Sequence, residues 1–235
     1  MHEQTEQTEH QHQHQQPHAH VHSPSDGPAA GGGEEFWDSR YSESEQIWSG
    51  NANTVLVREV QDLAPGRALD LGCGEGADAV WLARQGWRVT GTDISGIALK
   101  RAAGHAADTG VADRIEWQRH DLALSFPAGE FDLVCASFLH SMGDFPRERI
   151  LRTAASAVAP GGVLLIVGHA GWAHWQEDRD HSVRFPAPED VVADLELPEG
   201  GWEVLLAEEH ERVQNQPDGR PGTRTDNVVK LRRLR

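Results

Sequence analysis

The chain has 235 residues and a formal net charge of -16 at pH 7, from 37 acidic and 21 basic side chains. This length favours one well-buried catalytic domain with an appended tail over two full domains. The acidic balance disfavours unaided binding of DNA or RNA, because such binding rests on Lys and Arg side chains that neutralise phosphates. Composition therefore favours a small-molecule substrate and no nucleic-acid partner.

Cysteine usage and the apolar runs indicate neither an oxidising compartment nor a membrane. Cys73 and Cys135 belong to no CxxC or Cys/His ligand spacing, which argues against a disulfide framework and a zinc finger. The longest apolar stretch, around residues 162–167, is too short to span a bilayer, and the polar first residues lack the apolar centre of a signal peptide. We expect a soluble, cytoplasmic protein.

Residues 1–33 are rich in Gln, Glu, Thr, His, Pro and Gly. They hold too few large apolar groups to offset chain entropy, so we expect a disordered tail. Its alternating histidines could capture Ni, Zn or Cu as neutral imidazoles: His10, His12, His14, His18, His20 and His22. A flexible tail without function explains the same composition, and no metal is implied in the core.

Order is expected from Glu34, and the predicted domain covers residues 34–235. Large apolar groups begin there, and residues 34–64 are predicted to form helices ahead of the main body. Asn53 or Thr54 can cap a helix that runs through Leu63 and is ended by Pro65-Gly66.

From residue 68 onward, strand and helix signals alternate. Strands are predicted at 68–71, 88–92, 115–119, 131–137 and 163–167, with helices at 77–85, 96–107 and 147–158. Such alternation predicts a parallel sheet with helices on both faces. Segments 203–211 and 227–234 flank a turn-rich stretch, which predicts two antiparallel strands at one edge.

The motif that carries the chemistry is Leu69-Asp70-Leu71-Gly72-Cys73-Gly74-Glu75-Gly76, between a predicted strand and a predicted helix. Glycines permit positive φ and let a ligand approach the backbone, and the helix beyond offers unpaired amides. The spacing is Gly-x-Gly-x-Gly, whereas the dinucleotide fingerprint is Gly-x-Gly-x-x-Gly. Asp70 would repel a pyrophosphate and suits a ligand with a cationic end, such as S-adenosylmethionine.

Two further acids stand at the ends of the next two predicted strands. Asp93 can accept both hydroxyls of a ribose, which a dinucleotide enzyme would also require. Asp121 could accept from an adenine amino group while the Leu122 amide donates to the ring. Three acids at three successive strand ends therefore predict a nucleoside site along one edge of the sheet.

On these motifs the sequence resembles the class I S-adenosylmethionine-dependent methyltransferases, in particular small bacterial ones similar to tellurite-resistance and thiopurine methyltransferases. The resemblance covers roughly Phe36 to the C-terminus and is strongest over 69–93. It implies a Rossmann-like α/β fold with a seven-stranded sheet, doubly wound and mostly parallel with one antiparallel strand. It also implies that the cofactor's amino-acid part contacts the glycine motif, namely Asp70, Gly72, Cys73, Gly74 and Gly76.

The same resemblance assigns expectations to residues outside the glycine motif. Asp93 would hold the ribose, Ile94 would pack on adenine, and Asp121 with Leu122 would read the adenine edge. Ser137 would face the methyl group and the substrate. In similar enzymes the region before the sheet is a lid, in which Arg40 could pair with the cofactor carboxylate and Trp48 could close over the cofactor. Cys73 is expected to be a small buried apolar residue rather than a nucleophile.

Methyl transfer from a sulfonium is an in-line displacement, so a dedicated base is optional. A hydroxyl or an amine generally benefits from one, and His140, just past the fourth core strand, is the best-placed candidate. A histidine held by loop backbone explains His140 equally well, and His169 is a weaker candidate.

Two alternatives to a methyltransferase stay open at this stage. One is a nicotinamide-dependent oxidoreductase on a similar sheet, which the glycine spacing and Asp70 oppose. The other is a non-catalytic cofactor- or metal-binding protein, supported by the His-rich tail. The sequence does not identify the methyl acceptor or the oligomeric state.

Overall fold

The computed structural model describes residues 32–141, 144–176, 185–216 and 218–235. The six histidines of the predicted tail lie outside these ranges. Within them the helices are α1 Glu34–Ser42, α2 Thr54–Val60, α3 Ala77–Arg84, α4 Gly96–Asp108, α5 Arg147–Ser156 and α6 Pro188–Asp194. The strands are β1 Arg67–Leu71, β2 Arg88–Asp93, β3 Ile115–Arg119, β4 Phe131–Ser137, β5 Val158–His169, β6 Trp202–Asn215 and β7 Pro221–Arg233.

The strands form one seven-stranded sheet in the order β3-β2-β1-β4-β5-β7-β6. β1 to β5 pair in parallel, and β7 is antiparallel to both β5 and β6. The predicted mixed α/β fold with one antiparallel strand inserted near the edge is therefore confirmed. The order reverses between β1 and β4, which is where ligands bind in open α/β sheets.

A hydrophobic core covers each face of the sheet. Successive residues of β5 point to opposite faces, so Leu165 lies in one core with Leu82 and Trp87, while Ile166 lies in the other with Ile150. All five side chains are almost fully buried, and each such burial contributes about 1.5–3 kcal/mol. The Val- and Leu-rich β5 is thus dictated by burial on both faces.

Several predicted boundaries differ from the structure. Asn53 caps α2 by accepting the Val55 N–H at 2.9 Å, as predicted, but the helix ends at Val60 rather than Leu63. The predicted turn at 160–162 lies inside β5, which begins at Val158 because that residue pairs with Phe131 through a register shift. A bulge absorbs the extra residues there without breaking the strand. Helix α6 has only two turns and was not predicted.

None of the helices in the described part of the chain has the length and apolar character needed to cross a bilayer.

Candidate functional site

The glycine motif forms a tight connection between β1 and α3 at the carboxyl edge of the sheet. Gly72, Gly74 and Gly76 have φ of +67°, +53° and +83°, a region that other residues rarely adopt. The Cys73 N–H donates to the Thr92 carbonyl at 2.9 Å, which fastens the loop to β2. Gly74 and Gly76 are buried, and a Cβ on Gly74 would lie 2.9 Å from the Tyr41 hydroxyl, so the loop is closely covered by neighbouring side chains and leaves no room for side chains of its own.

Asp70 lies beneath this loop and is 2% exposed. Its Oδ2 has no hydrogen-bond partner in the described structure. Burial raises the pKa of Asp70 well above its ordinary value, and the nearby carboxylates of Asp78 and Asp93 raise it further. A buried acceptor with no donor is costly, so a cationic hydrogen-bond donor is what this position lacks.

Asp93 ends β2 and contacts the glycine loop directly. Its Oδ2 accepts the Gly74 N–H and its Oδ1 accepts the Ser95 N–H, both at 2.9 Å. Burial raises the pKa of Asp93, and these backbone donors offset part of the rise. Each carboxylate oxygen keeps a second lone pair, which leaves capacity for the predicted ribose hydroxyls. Ile94 follows at the edge and is half-buried.

Asp121 lies beyond the end of β3, on the same edge as Asp70 and Asp93. Its Oδ1 accepts the Ala123 N–H at 2.9 Å and so stabilises its own turn. The Leu122 side chain packs against the core. The Asp121 Oδ2 and the Leu122 backbone N–H are the groups that would contact adenine. These contacts stay a prediction.

The predicted lid lies over the glycine loop. The Trp48 indole N–H donates to the Tyr41 hydroxyl at 3.0 Å, and this hydroxyl is 2.9 Å from where a Cβ on Gly74 would lie. Arg40 is half-buried on α1. Sequence reasoning missed Arg101 of α4, whose Nη1 pairs with Glu75 at 2.8 Å and whose Nη2 donates to the Tyr41 carbonyl at 2.6 Å.

Glu75 contacts the predicted lid, and sequence reasoning missed it too. Its carboxylate is 4% exposed and accepts the backbone N–H groups of Ile47 and Trp48 at 3.2 and 3.0 Å. Glu75 lies within the glycine motif, so the same loop carries the ligand-facing backbone and the anchor of the lid. Asp38 adds a second anchor by accepting the Ser95 hydroxyl at 2.5 Å.

The ends of β4 and β5 continue the same edge. Ser137 lies there with a buried hydroxyl that interacts with the Asp78 carboxylate and lowers its pKa, against the larger opposing effect of burial. His140 is exposed and stacks on His169 at 5.2 Å between ring centroids. Desolvation by the groups packed around the ring lowers the pKa of His140, and His169 lowers it further. Because the ring is in contact with water, screening reduces the part due to desolvation.

The thiol of Cys73 is not prepared for nucleophilic attack. Burial raises its pKa well above the ordinary value, and the carboxylates of Asp70 and Asp93 raise it further. A thiol kept protonated is a poor nucleophile. This agrees with the interpretation of Cys73 as a small packing residue beside the ligand.

Gly74→Ala is expected to lower the free energy of unfolding by about 1–2 kcal/mol, the cost of a Cβ in a left-handed conformation. The new Cβ would also press on the Tyr41 hydroxyl and displace the lid. Urea denaturation measures the change. Gly104→Ala is the control: Gly104 lies in α4 with no atom within 4 Å of its added Cβ, so this variant should be unchanged or more stable. An equal loss of stability in Gly74→Ala and Gly104→Ala would contradict the conclusion that Gly74 requires a left-handed conformation.

Residues 68–162 match the family model described as a methyltransferase domain. This part of the chain is therefore similar to methyltransferase domains. Among its curated relatives, the 27-O-demethylrifamycin SV methyltransferase of Amycolatopsis mediterranei is 34% identical over 138 residues, which are 56% of this chain and 48% of that protein. The ribosomal RNA small subunit methyltransferase C of Alcanivorax borkumensis is 34% identical over 137 residues, 55% of this chain and 41% of that protein. The chain thus spans less than half the length of these relatives.

Solved structures share the fold of this chain. One, from work on the conversion of a disulfide bond into a thioacetal group during echinomycin biosynthesis, has a TM-score of 0.66 at 24% identity and covers 85% of this chain and 91% of its own. TehB from Haemophilus influenzae has a TM-score of 0.59 at 17% identity, with 86% and 67% covered. At these identities the likeness shows the fold alone.

Proposed function

We propose that this protein transfers a methyl group from S-adenosylmethionine to a small-molecule acceptor. The observation that carries the proposal is the buried Asp70 carboxylate beneath a left-handed glycine loop: its Oδ2 has no hydrogen-bond donor among the described residues. The residues fit this cofactor: Asp70 would accept from its α-ammonium group, and the loop backbone would lie along its amino-acid part. When bound, the cofactor supplies an electrophilic methyl group on a positively charged sulfur.

The remaining site roles are part of the same proposal. Asp93 would hold the ribose, Ile94 would pack on adenine, and Asp121 with Leu122 would contact the adenine edge. Ser137 and His140 would line the acceptor side. Residues 34–64 would act as the lid of a domain that covers 34–235, preceded by the tail of residues 1–33.

The acceptor class is supported by charge and by the names of relatives. A net charge of -16 opposes a phosphate backbone, which weighs against a ribosomal RNA acceptor even though one relative carries that name. Other relatives are named for small-molecule acceptors, among them the ubiquinone biosynthesis O-methyltransferase of Caulobacter sp.. Two free cysteines support a reducing, cytoplasmic location.

Calorimetric titration tests the cofactor. S-adenosylmethionine is expected to bind with a free energy on the order of -8 kcal/mol, in the micromolar range, whereas NADH should give no heat of binding. Binding of NADH alone would overturn the proposal in favour of an oxidoreductase. Transfer of a labelled methyl group to phenol, amine and thiol probes, with a short ribosomal RNA fragment alongside, then tests the acceptor. Transfer to the RNA alone would exclude a small-molecule acceptor.

A further inference from the structure

A histidine and a carboxylate form a pair at the end of β5. His169 and Asp226 are register partners across β5 and β7, and the His169 Nδ1 lies 2.9 Å from the Asp226 Oδ1. Asp226 is fully buried, and Arg212 donates from its Nε to the other oxygen. Because a carboxylate can only accept, Nδ1 carries the proton and Nε2 presents its lone pair.

An aromatic wall adjoins this pair. The Phe138 ring stacks on the His169 ring with centroids 4.6 Å apart, and the Arg212 guanidinium lies 5.3 Å from the Phe138 ring centroid. Phe138 has φ of +52°, a strained conformation for a residue with a Cβ. Such strain persists where the surroundings fix it and is concentrated at functional sites. The strained residue is therefore the one whose ring lies against the imidazole.

Positive charge is concentrated around the pair in an otherwise acidic protein. The groups that act on the rings of His169 and His140 are Arg147 of α5, Arg212 of β6, and Arg224 and Asp226 of β7. The Nε of Arg224 is buried without a hydrogen-bond partner among the described residues. Three guanidinium groups and one carboxylate leave a cationic excess, which suits a substrate oxygen that develops negative charge.

We propose that His169 is the general base for an acceptor with an acidic hydroxyl on a flat ring, a phenol or enol. Asp226 is its positioning residue, and Arg224 stabilises the developing oxyanion. The inference rests on the proposed methyltransferase function. In the step, the hydroxyl proton moves to Nε2 of His169 and an oxygen lone pair forms the new O–CH3 bond. The C–S bond breaks with its electrons remaining on sulfur, which becomes a neutral thioether.

Location and charge state agree with this role. β5 lies two strands from β1 in the sheet order, so His169 shares the carboxyl edge with Asp70 and the glycine loop. Burial lowers the pKa of His169, and Arg224 and Arg212 lower it further, against the opposing effect of Asp226. The ring is therefore neutral at pH 7 and able to take a proton.

Nitrogen NMR of histidine-labelled protein tests the base without an assay of turnover. The His169 signals, assigned by their loss in His169→Gln, should show protonated Nδ1 and unprotonated Nε2 at pH 7. In Asp226→Asn the tautomer preference should be lost or reversed. His120→Gln, a change past the end of β3 where the ring contacts the Ser125 hydroxyl, should leave these signals in place, because β3 is at the edge of the sheet remote from β5. A wild-type ring protonated at Nε2, or doubly protonated, at pH 7 overturns the proposal.

Absorbance of bound p-nitrophenol tests the acceptor class, because its phenolate absorbs at longer wavelength than the phenol. Wild-type protein should shift its ionisation toward lower pH, and His169→Gln or Arg224→Gln should not. Absence of the shift in wild type overturns the phenol assignment. Turnover of unsubstituted phenol, which stays protonated at neutral pH and so needs a base, should fall by about 10²- to 10⁴-fold in His169→Gln, in kcat rather than in the affinity for S-adenosylmethionine. Unchanged turnover with intact cofactor binding defeats this inference alone, whereas wild type that binds no cofactor defeats the proposed function.

Discussion

Asp70→Asn is expected to make the protein more stable at neutral pH and to weaken its affinity for S-adenosylmethionine by at least about 30-fold. A buried carboxylate that pairs with a ligand cation contributes about 2–5 kcal/mol to binding when its loss is measured by substitution. In the free protein the same carboxylate is 2% exposed and lies near Asp78 and Asp93. Asn is neutral at every pH, so the folded variant needs neither a buried charge nor the uptake of a proton that avoids one.

The pH dependence of stability shows why Asp70→Asn should be more stable than wild type at neutral pH. The folded-state pKa of Asp70 is raised well above its ordinary value of 3.8, so the folded protein holds a proton that the unfolded chain has released. Stability is fully present below the ordinary value and falls as pH rises through the folded-state value. The variant lacks this loss. Its Tm should match that of wild type near pH 4 and exceed it at pH 7.5.

Proton release on cofactor binding gives a second measure of the raised pKa of Asp70. A cation bound to Asp70 favours the ionised carboxylate, so cofactor binding should release a proton at pH values between its bound and free pKa. Titrations in buffers of different ionisation enthalpy detect that proton, and Asp70→Asn should abolish it. The control is Asp132→Asn at the opposite end of the sheet, where the carboxylate accepts the Arg67 N–H at 2.7 Å. If Asp70→Asn bound S-adenosylmethionine with unchanged affinity, this would contradict the proposal that Asp70 accepts from the cofactor's ammonium group.

Those parts of the site that depend on local sequence could be predicted. Glycines with positive φ and acids at strand ends are set by the chain immediately around them, so the sequence alone predicts that Asp70, Gly74 and Asp93 lie on one edge. The alternation of strands and helices likewise predicts a mostly parallel sheet with helices on both faces, which the structure has. The predicted turn at 160–162 failed because a bulge depends on the partner strand, which the local sequence does not specify.

Contacts between distant segments could not be predicted. His169 and Asp226 are 57 residues apart, and their pairing follows from the register of β5 against β7. The sequence favours His140 over His169 as the general base because His140 directly follows β4. The contact between His169 and the Asp226 carboxylate cannot be predicted from the sequence. Arg101 and Glu75 were missed for the same reason, since their contact requires α4 to pack beside the glycine loop.

Glu75→Ala is expected to lower the free energy of unfolding by about 3 kcal/mol and to release the lid. Loss of one partner of a buried ion pair costs about 3–5 kcal/mol, because the other charge stays buried and unpaired. The lower figure applies here because the Arg101 side chain is 21% exposed and water screens it. The backbone N–H groups of Ile47 and Trp48 lose their acceptor as well.

Urea denaturation and amide hydrogen exchange separate the two effects of this change. Exchange at Ile47 and Trp48 should accelerate far more than exchange in β5, because the lid opens locally while the sheet stays folded. Glu75→Gln keeps an acceptor oxygen and should lose less stability than Glu75→Ala. Glu196→Ala is the matched control, because it removes the ion pair of 2.9 Å between Glu196 and Arg152. The Glu196 side chain is 72% exposed, and exposed pairs contribute at most about 1 kcal/mol. If exchange at Ile47 and Trp48 is the same in Glu75→Ala as in wild type, the glycine loop does not anchor the lid. If exchange at Ile47 and Trp48 rises in Glu75→Ala and the affinity for S-adenosylmethionine falls, the glycine loop also controls access of the cofactor to its site. The reason is that the buried Glu75 carboxylate belongs to the glycine loop and binds the backbone of the lid.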